Sequence, residues 1–448
     1  MAEPTLDAVL QRLAQWLTPF AACFGRRGHA RGLDRYVAGL LSDSPRKSMQ
    51  AMLTRVAHPG DYQALQHFIT HARWDARRVW TQLLAQIPER RGVLVLDDTG
   101  VPKQGRHSVG VGRQYSGTLG KIGNCQVTVT AALWTGARAW LLGAELYLPQ
   151  PWLSAEARRV ARIPASVPFQ EKWRMALTLV RRVRAAGFQL ALVVADAGYG
   201  DVHTFRTALD RLRLAYAVGI SSTVTVFPGT PRVVPTPPRP RGGRPRTRAW
   251  LARGVHTISV AAWAANQSAR RWRRVQWRNG PHRAWQALFI AVRVTPAVAW
   301  RRGERPREVW LICQRPVGTT RATPHDRYYL SNLPAETSLR ALVRATHQRW
   351  AIEQQYQHLK TELGLDHFEG RSYPGWQHHA VISAVTYAFL QTERRLRRDR
   401  RRHLMTATPT FPVICGHVQD VFTALLFVTQ PRYLRLMEQA QRFVQLRM

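Results

Sequence analysis

The stretch Gly92-Val93-Leu94-Val95-Leu96-Asp97-Asp98-Thr99-Gly100 decides how the rest of the chain is read. Four consecutive apolar residues are what a strand buried on both faces presents, and this run ends on two carboxylates. A single Asp in such a place is usually a turn or cap residue, so the stretch gains meaning from what repeats it. Gln189–Ala195 is a second apolar strand, ending at Asp196-Ala-Gly198-Tyr-Gly200. A third acid, Glu353, lies in Arg349-Trp-Ala-Ile-Glu353-Gln-Gln-Tyr356-Gln-His-Leu-Lys360. That segment reads as a helix, with Arg349, Glu353, Tyr356 and Lys360 at offsets of four, three and four on one face. Taken alone it is also a solvated face with weak ion pairs.

Carboxylates that close apolar strands are costly to bury without a positive partner. Neighbouring strand ends can converge, and a helix packed beside them can add a third carboxylate. Such hard oxygen donors suit Mg²⁺ or Mn²⁺ rather than zinc. Two such ions are the apparatus of in-line phosphoryl transfer.

The bulk composition points the same way. Among 448 residues, 66 Lys and Arg stand against 27 Asp and Glu, a formal net charge of +39. The charge is spread along the chain, which predicts a folded body that binds a polyanion such as double-stranded DNA. Cys23, Cys125, Cys313 and Cys415 lie far apart, which predicts neither disulfides nor a zinc site and a reducing compartment. The N-terminus has no basic region followed by an apolar one. No apolar run, Ala380–Leu390 included, reads as long enough to span a bilayer, so the expectation is a soluble, intracellular protein without membrane contact.

Residues 1–88 read as helical, with breaks at Gly25–Gly28, Ser42–Pro45 and His58–Gly60. Arg26, Arg27, Arg31, Arg35, Arg46 and Lys47 gather at these breaks, as in a DNA-binding domain or a basic helical cap. Residues 89–220 read as the first part of an α/β core. Its strands are Val93–Leu96, Gln126–Leu133, Ala139–Leu148, Gln189–Ala195 and Leu214–Ile220, and its helices Phe169–Ala186 and His203–Leu212. Residues 221–327 carry the Pro- and Arg-rich segment Pro228–Arg248 and β-like runs at Val255–Val260, Ala287–Val294 and Val309–Cys313, a β-rich insertion. Residues 328–392 return to the core, and 393–448 form a basic helical C-terminal region with its densest patch at Arg394–Arg402.

The chain resembles the DDE insertion-sequence transposases. The resemblance rests on the block from Leu96-Asp97-Asp98-Thr99 through Gln126, on Val194-Ala-Asp196-Ala-Gly-Tyr-Gly200, on Tyr328-Tyr-Leu-Ser-Asn-Leu333 and on Arg349 through Lys360. It runs over most of residues 30–390. It is similar to the branch whose third motif reads Tyr-x2-Arg-x3-Glu-x6-Lys; Arg349, Glu353 and Lys360 fit, while Thr346 stands at the Tyr position.

The resemblance implies an α/β fold: an RNase H-like core interrupted by the β-rich insertion, with a helical N-terminal domain and a helical tail. It implies cleavage at terminal inverted repeats and strand transfer into target DNA by a homodimer on DNA, in a prokaryotic cytoplasm and associated with the nucleoid. Asp97 or Asp98, with Asp196 and Glu353, would hold two Mg²⁺ (or Mn²⁺) ions. Strand alternation sends Asp97 and Asp98 to opposite faces, so one of them is the ligand. Arg349, Lys360, Tyr356, Lys103 and Arg371 would contact DNA or its phosphates. Several relatives form a DNA hairpin and hold a flipped base on an aromatic of the insertion; Trp250, Trp263, Trp272, Trp277, Trp285, Trp300 and Trp310 are the candidates. The rival readings are another RNase H-like DNA endonuclease, and an inactive transposase-derived DNA-binding protein.

Overall fold

The structure, a computed structural model, describes residues 6–445 apart from 118–119, 235–249, 280–283, 302–306, 320 and 403–408. Most of the Pro- and Arg-rich segment expected at Pro228–Arg248 lies outside the described residues.

Five α-helices open the chain: α1 (Leu6–Leu17), α2 (Arg27–Leu41), α3 (Met49–Leu53), α4 (Tyr62–Gln66) and α5 (Ala76–Gln86). Ser48, Asp61 and Asp75 start α3, α4 and α5 by accepting backbone N–H bonds that would otherwise be unsatisfied. Their apolar faces (Leu33, Val37, Leu40, Leu65 and Val79 among them) join one continuous core with the α/β part of the chain.

The central sheet begins with β1 (Arg91–Pro102), β2 (Gly112–Ser116), β3 (Lys121–Trp134) and β4 (Ala139–Tyr147). The helices α6 (Ala155–Ala161) and α7 (Lys172–Ala185) lead to β5 (Gln189–Ala195), α8 (Ala197–Gly200), α9 (His203–Arg211) and β6 (Tyr216–Ile220). β3 runs antiparallel to β1 and β4 pairs antiparallel with β3, whereas β5 runs parallel to β1 and β6 parallel to β5. The resulting order β4-β3-β1-β5-β6 is that of an RNase H-like sheet, and the fold class is α/β as expected.

Residues 221–327 extend this same sheet. They supply β7 (Thr225–Pro228), the small pair β8 (Val233–Val234) and β9 (Trp250–Leu251), and β10 (Ile258–Ser259). After α10 (Val260–Ala265) come β11 (Arg273–Asn279), β12 (Ala284–Pro296), α11 (Ala297–Arg301) and β13 (Val309–Arg315). β14 (Arg327–Ser331) then pairs antiparallel with β6, so the sheet continues β6-β14-β13-β12-β7-β10 and reaches twelve strands. The strand expected at Val255–Val260 shrinks to Ile258–Ser259, because the Ser259 side chain caps α10 at Ala262 N–H and turns the chain into a helix.

The chain closes with α12 (Leu339–Thr346), α13 (Trp350–Thr361), α14 (Tyr373–Arg402), α15 (Phe411–Thr429) and α16 (Pro431–Gln445). One sheet face packs on α12 and α13 through Val95, Val194, Ala217, Ile352 and Tyr356. The other carries α7 and α14 through Leu94, Leu96, Val180, Val193 and Val385. α15 corrects one expectation: by length and composition it is long and apolar enough to cross a bilayer, the one such helix among the described residues. Ile414, Cys415, Val418 and Phe422 on it are buried in the core shared with the N-terminal helices.

Candidate active site

The aspartate pair does not end its strand. β1 runs on to Pro102, with Asp97 opposite Thr130 and Asp98 opposite Val129 of β3. What ends near Asp97 is the parallel ladder to β5, whose last pair is Val95 with Val194. Asp97 lies two residues beyond this last pair in β1, and Asp196 two residues beyond it on the other chain segment, just past the end of β5. Asp196 keeps an extended backbone and starts α8.

Alternation gives the two adjacent aspartates different surroundings. Asp97 lies on the face of Val95 and Thr130, toward α13, and is 6% exposed. Its Oδ1 accepts the Asp98 backbone N–H at 3.0 Å. Its Oδ2 takes a bond from Arg349 Nη1 at 2.7 Å, and Arg349 Nη2 reaches Glu353 Oε1, also at 2.7 Å. Asp98 lies toward α7, where Lys172 Nζ reaches its Oδ2 at 2.6 Å. Sequence reading could not find Lys172, which is 74 residues away and in no motif.

Burial raises the Asp97 carboxyl to about 7; the Arg349 charge opposes the rise, and Asp196 and Asp98 add to it. Burial also raises Asp196, with the Asp98 charge adding to the effect. Asp196 Oδ1 is buried and has no hydrogen-bond partner. Tyr199, in the first turn after Asp196, has a buried hydroxyl with no partner, pushed well above its ordinary value by burial and then by the three aspartates. Among the described residues no three His, Cys, Asp or Glu side chains converge tightly enough to hold a metal ion. Arg349 instead bridges Asp97 and Glu353.

Several expected phosphate contacts are occupied inside the protein. Tyr356 is buried, and its hydroxyl pairs with Thr130 Oγ1 at 2.5 Å, fastening α13 to β3 directly opposite Asp97. Lys360 Nζ donates to Gly100 O at 3.0 Å, and Lys103 Nζ to Asp366 O and Phe368 O at 3.1 and 2.7 Å. These two lysines lock α13 and the loop after it against β1. Arg371 is exposed. Lys47, expected among the cations at the N-terminal breaks, is buried with its Nζ on Ser42 O at 2.5 Å, and burial lowers it to about 8.

Asp196, Arg349 and Glu353 line a cleft of about 1560 Å³ whose opposite wall is built by the insertion. Trp285 stands on that wall, 47% exposed. Of the other tryptophan candidates, Trp263 and Trp272 are buried, Trp310 Nε1 donates to Pro334 O, and Trp277 packs against Phe289 and His347. Trp300 is half-buried. The side chain of Trp250 lies outside the described residues. Two contacts join β11 to the entry of α13. Arg278 stacks on the Trp350 ring at 3.7 Å, and Trp277 lies 4.0 Å from the His347 ring. His347 Nδ1 donates to Val343 O at 2.9 Å, and burial lowers the ring to about 4, so it is neutral. Thr346, at the expected Tyr position, is buried with its hydroxyl on Val343 O.

The sequence profile described as DDE superfamily endonuclease matches residues 19–284, more than half of the chain. The chain belongs to the DDE superfamily endonucleases. The matched span holds Asp97 and Asp196 and stops short of Glu353. The chain is also 33% identical over 190 residues to a protein of Microchaete diplosiphon described as a probable transposase for insertion sequence element IS701. That match covers 41% of this chain, which spans about half the length of the relative, 47%. Among solved structures, a piggyBac transposase synaptic complex with hairpin DNA aligns with a TM-score of 0.43 at 10% identity, over 96% of this chain and 81% of that one.

Proposed function

We propose that this DDE endonuclease is a metal-dependent DNA transposase that cleaves at the terminal inverted repeats of its element and joins the freed ends to target DNA. The observation that carries the reading is that Asp97 in β1 and Asp196 just past β5 each lie two residues beyond the last pair of the β1–β5 ladder, with Glu353 linked to Asp97 through Arg349. Asp97, Asp196 and Glu353 are the site carboxylates; Asp98, tied to Lys172 on the other face, is a structural acid. The three offer only oxygen donors, and Asp196 Oδ1 is buried without a hydrogen bond, so the donor chemistry suits Mg²⁺ or Mn²⁺ once Arg349 gives up its place between Asp97 and Glu353. When bound, two such ions activate the attacking oxygen and neutralise the leaving one.

The chain's own groups do the positioning. Arg349 is the cation nearest Asp97 and Glu353 and lines the cleft, so it clamps a phosphate beside the scissile bond. Lys360 and Lys103 hold β1 and α13 in register, which fixes the carboxylates before DNA arrives. Arg371 adds a phosphate contact further out. Trp285 offers an indole face to an unpaired base at the mouth of the cleft. Water attacks the element-end phosphodiester first, and the freed 3′-hydroxyl attacks the target strand second. The working form is a homodimer holding two ends, acting in the cytoplasm at the nucleoid.

The test supplies duplexes ending in the repeats that flank the coding sequence, a supercoiled plasmid and Mg²⁺. Joined products are expected, dependent on Mg²⁺ and lost in Asp196→Asn. Cleavage without joining would reduce the protein to an endonuclease. No cleavage and no joining with ends that it binds would overturn the reading.

A further inference from the structure

The antiparallel hairpin β2–β3 carries an apolar patch that none of the chemistry above uses. Tyr115 and Ile122 are directly opposed across it, and they are 61% and 60% exposed. Directly opposed residues share a sheet face and pack on each other, so the two form one apolar patch in contact with water. Arg113, two residues before Tyr115, is exposed on the same face. Its partner Asn124 donates to Lys103 O and Gly105 O at 2.6 and 2.9 Å, which anchors the base of the hairpin to the loop after β1.

Register relates this patch to the active site. β3 pairs without interruption with β1 from Trp134 to Cys125 and with β2 from Cys125 to Lys121. Thr130 is opposite Asp97, and Ile122 is an even number of residues away, so Tyr115 and Ile122 lie on the sheet face that carries Asp97. The eight residues from Thr130 to Ile122 cover roughly 27 Å along the strand, or about eight base pairs of duplex at 3.4 Å each. The surroundings select the occupant by charge. From Thr99 to Ala144 the chain contains no Asp or Glu, and Arg106, Arg113 and Lys121 of this stretch are exposed.

The geometry points to the β2–β3 hairpin as a second DNA grip, in which Tyr115 and Ile122 pack against sugar and base edges in a groove of the duplex about eight base pairs from the scissile phosphate, with Arg113 on the backbone beside them. Apolar side chains set into a groove among cations are a known way to hold and deform duplex DNA. An exposed aromatic and a β-branched residue suit that role better than solvent. The inference rests on the DNA-cleaving reading of the same protein.

The experiment titrates the full chain, in Ca²⁺ to prevent turnover, onto a fluorescent duplex of about 40 base pairs that ends in the flanking repeat and carries 2-aminopurine along its length in separate preparations. Tyr115→Ser/Ile122→Ser is expected to bind about tenfold more weakly with an unchanged salt slope, because no charge is lost, and Arg113→Ala to lower that slope by about one. The 2-aminopurine signal should rise on binding near the eighth base pair from the cleavage site, and only with Tyr115 and Ile122 present. Thermal melts and far-ultraviolet circular dichroism confirm that the double variant is folded; Tyr115→Phe should behave as the parent. If the double variant binds and perturbs the duplex like the parent, the inference falls while the transposase reading stands. If the double variant changes the oligomeric state instead, the patch is a subunit contact and the inference also falls. If the parent does not bind duplex DNA, the functional reading fails with it.

Discussion

Residues 89–220 and residues 221–327 build two halves of one sheet and have opposite chemistry. The first half pairs three of its acids internally: Glu89 with Arg138, Glu145 with Arg182, Asp98 with Lys172. Asp196 alone among its sheet-end acids keeps a buried carboxylate oxygen without any partner. The second half has 21 arginines and three acids, Glu304, Glu308 and Asp326. Of these, Glu308 lies against Arg293, and Asp326 makes a fully buried pair with Arg315. Under the proposed function the difference is a division of labour: the first half would fix the reacting carboxylates, and the second presents cations and an exposed Trp285 across the cleft. Its two stacked contacts, Arg278 on Trp350 and Trp277 on His347, also tie the second half to the helix that carries Glu353.

The largest expected effect breaks the first half. Asp97→Asn or Asp196→Asn should lower element-end cleavage by about 10³-fold or more, the scale of losing one electrostatic partner of a transition state, with duplex affinity unchanged or improved. Asp98→Asn should keep cleavage within about tenfold and lose about 1 kcal/mol of stability, as for a partly exposed ion pair. Single-turnover cleavage and denaturant melts measure both. Equal loss in Asp97→Asn and Asp98→Asn would remove the distinction between the two sheet faces.

Next come the contacts of the second half. Trp285→Ala should weaken binding of an end with a short single-stranded extension about tenfold, because one base loses its stacking surface, while a fully paired end binds nearly as before. Equal weakening on both substrates would place Trp285 on duplex DNA instead. A smaller effect is expected at the junction. Trp350→Ala removes the surface on which Arg278 rests, a contact worth about 1 kcal/mol, and should slow cleavage roughly fivefold while duplex affinity stays constant. Trp350→Phe should restore most of the rate. A fall in affinity with an unchanged rate would make the junction a DNA contact rather than a brace for α13.

Much of this arrangement was legible in the sequence, for identifiable reasons. Gln189–Ala195 was legible to the residue because Leu192–Ala195 are buried on both faces and leave no polar position there, and Asp196 follows directly. The Asp97/Asp98 alternation was legible too, but which side chain meets Arg349 and which meets Lys172 needed the packing of α13 and α7, which no local pattern encodes. The strand end expected at Asp97 was misplaced because β3 continues to pair past the point where β5 stops. Tyr356, Lys360 and Lys103 have residue types that suit phosphate as well as internal acceptors, and only the packing of α13 on β1 puts Tyr356 on the Thr130 hydroxyl and the two lysines on backbone carbonyls. α15 escaped notice because its polar residues, His417, Gln419 and Asp420, interrupt the apolar run without lowering its mean below that of a bilayer span.

A last measurement, read as a few degrees of melting temperature, tests the same carboxylate through stability rather than rate. In chelator, Asp97 holds its proton in the folded protein up to about pH 7, whereas an unfolded chain releases it near the ordinary 3.8. Between those values the folded state binds more protons, so this group's contribution to stability is present below about pH 4 and is lost as pH rises to about 7. The gap corresponds to at most about 4 kcal/mol. Asp97→Asn cannot titrate, so its melting temperature should match the parent's near pH 4 and exceed it by a few degrees above pH 7. Mg²⁺ should reverse that order at pH 7.5, since cation binding stabilises only a protein that retains the carboxylate. A parent that melts above Asp97→Asn at pH 7.5 in chelator would mean that Arg349 already holds Asp97 ionised, and that the space between Asp97 and Glu353 belongs to the guanidinium.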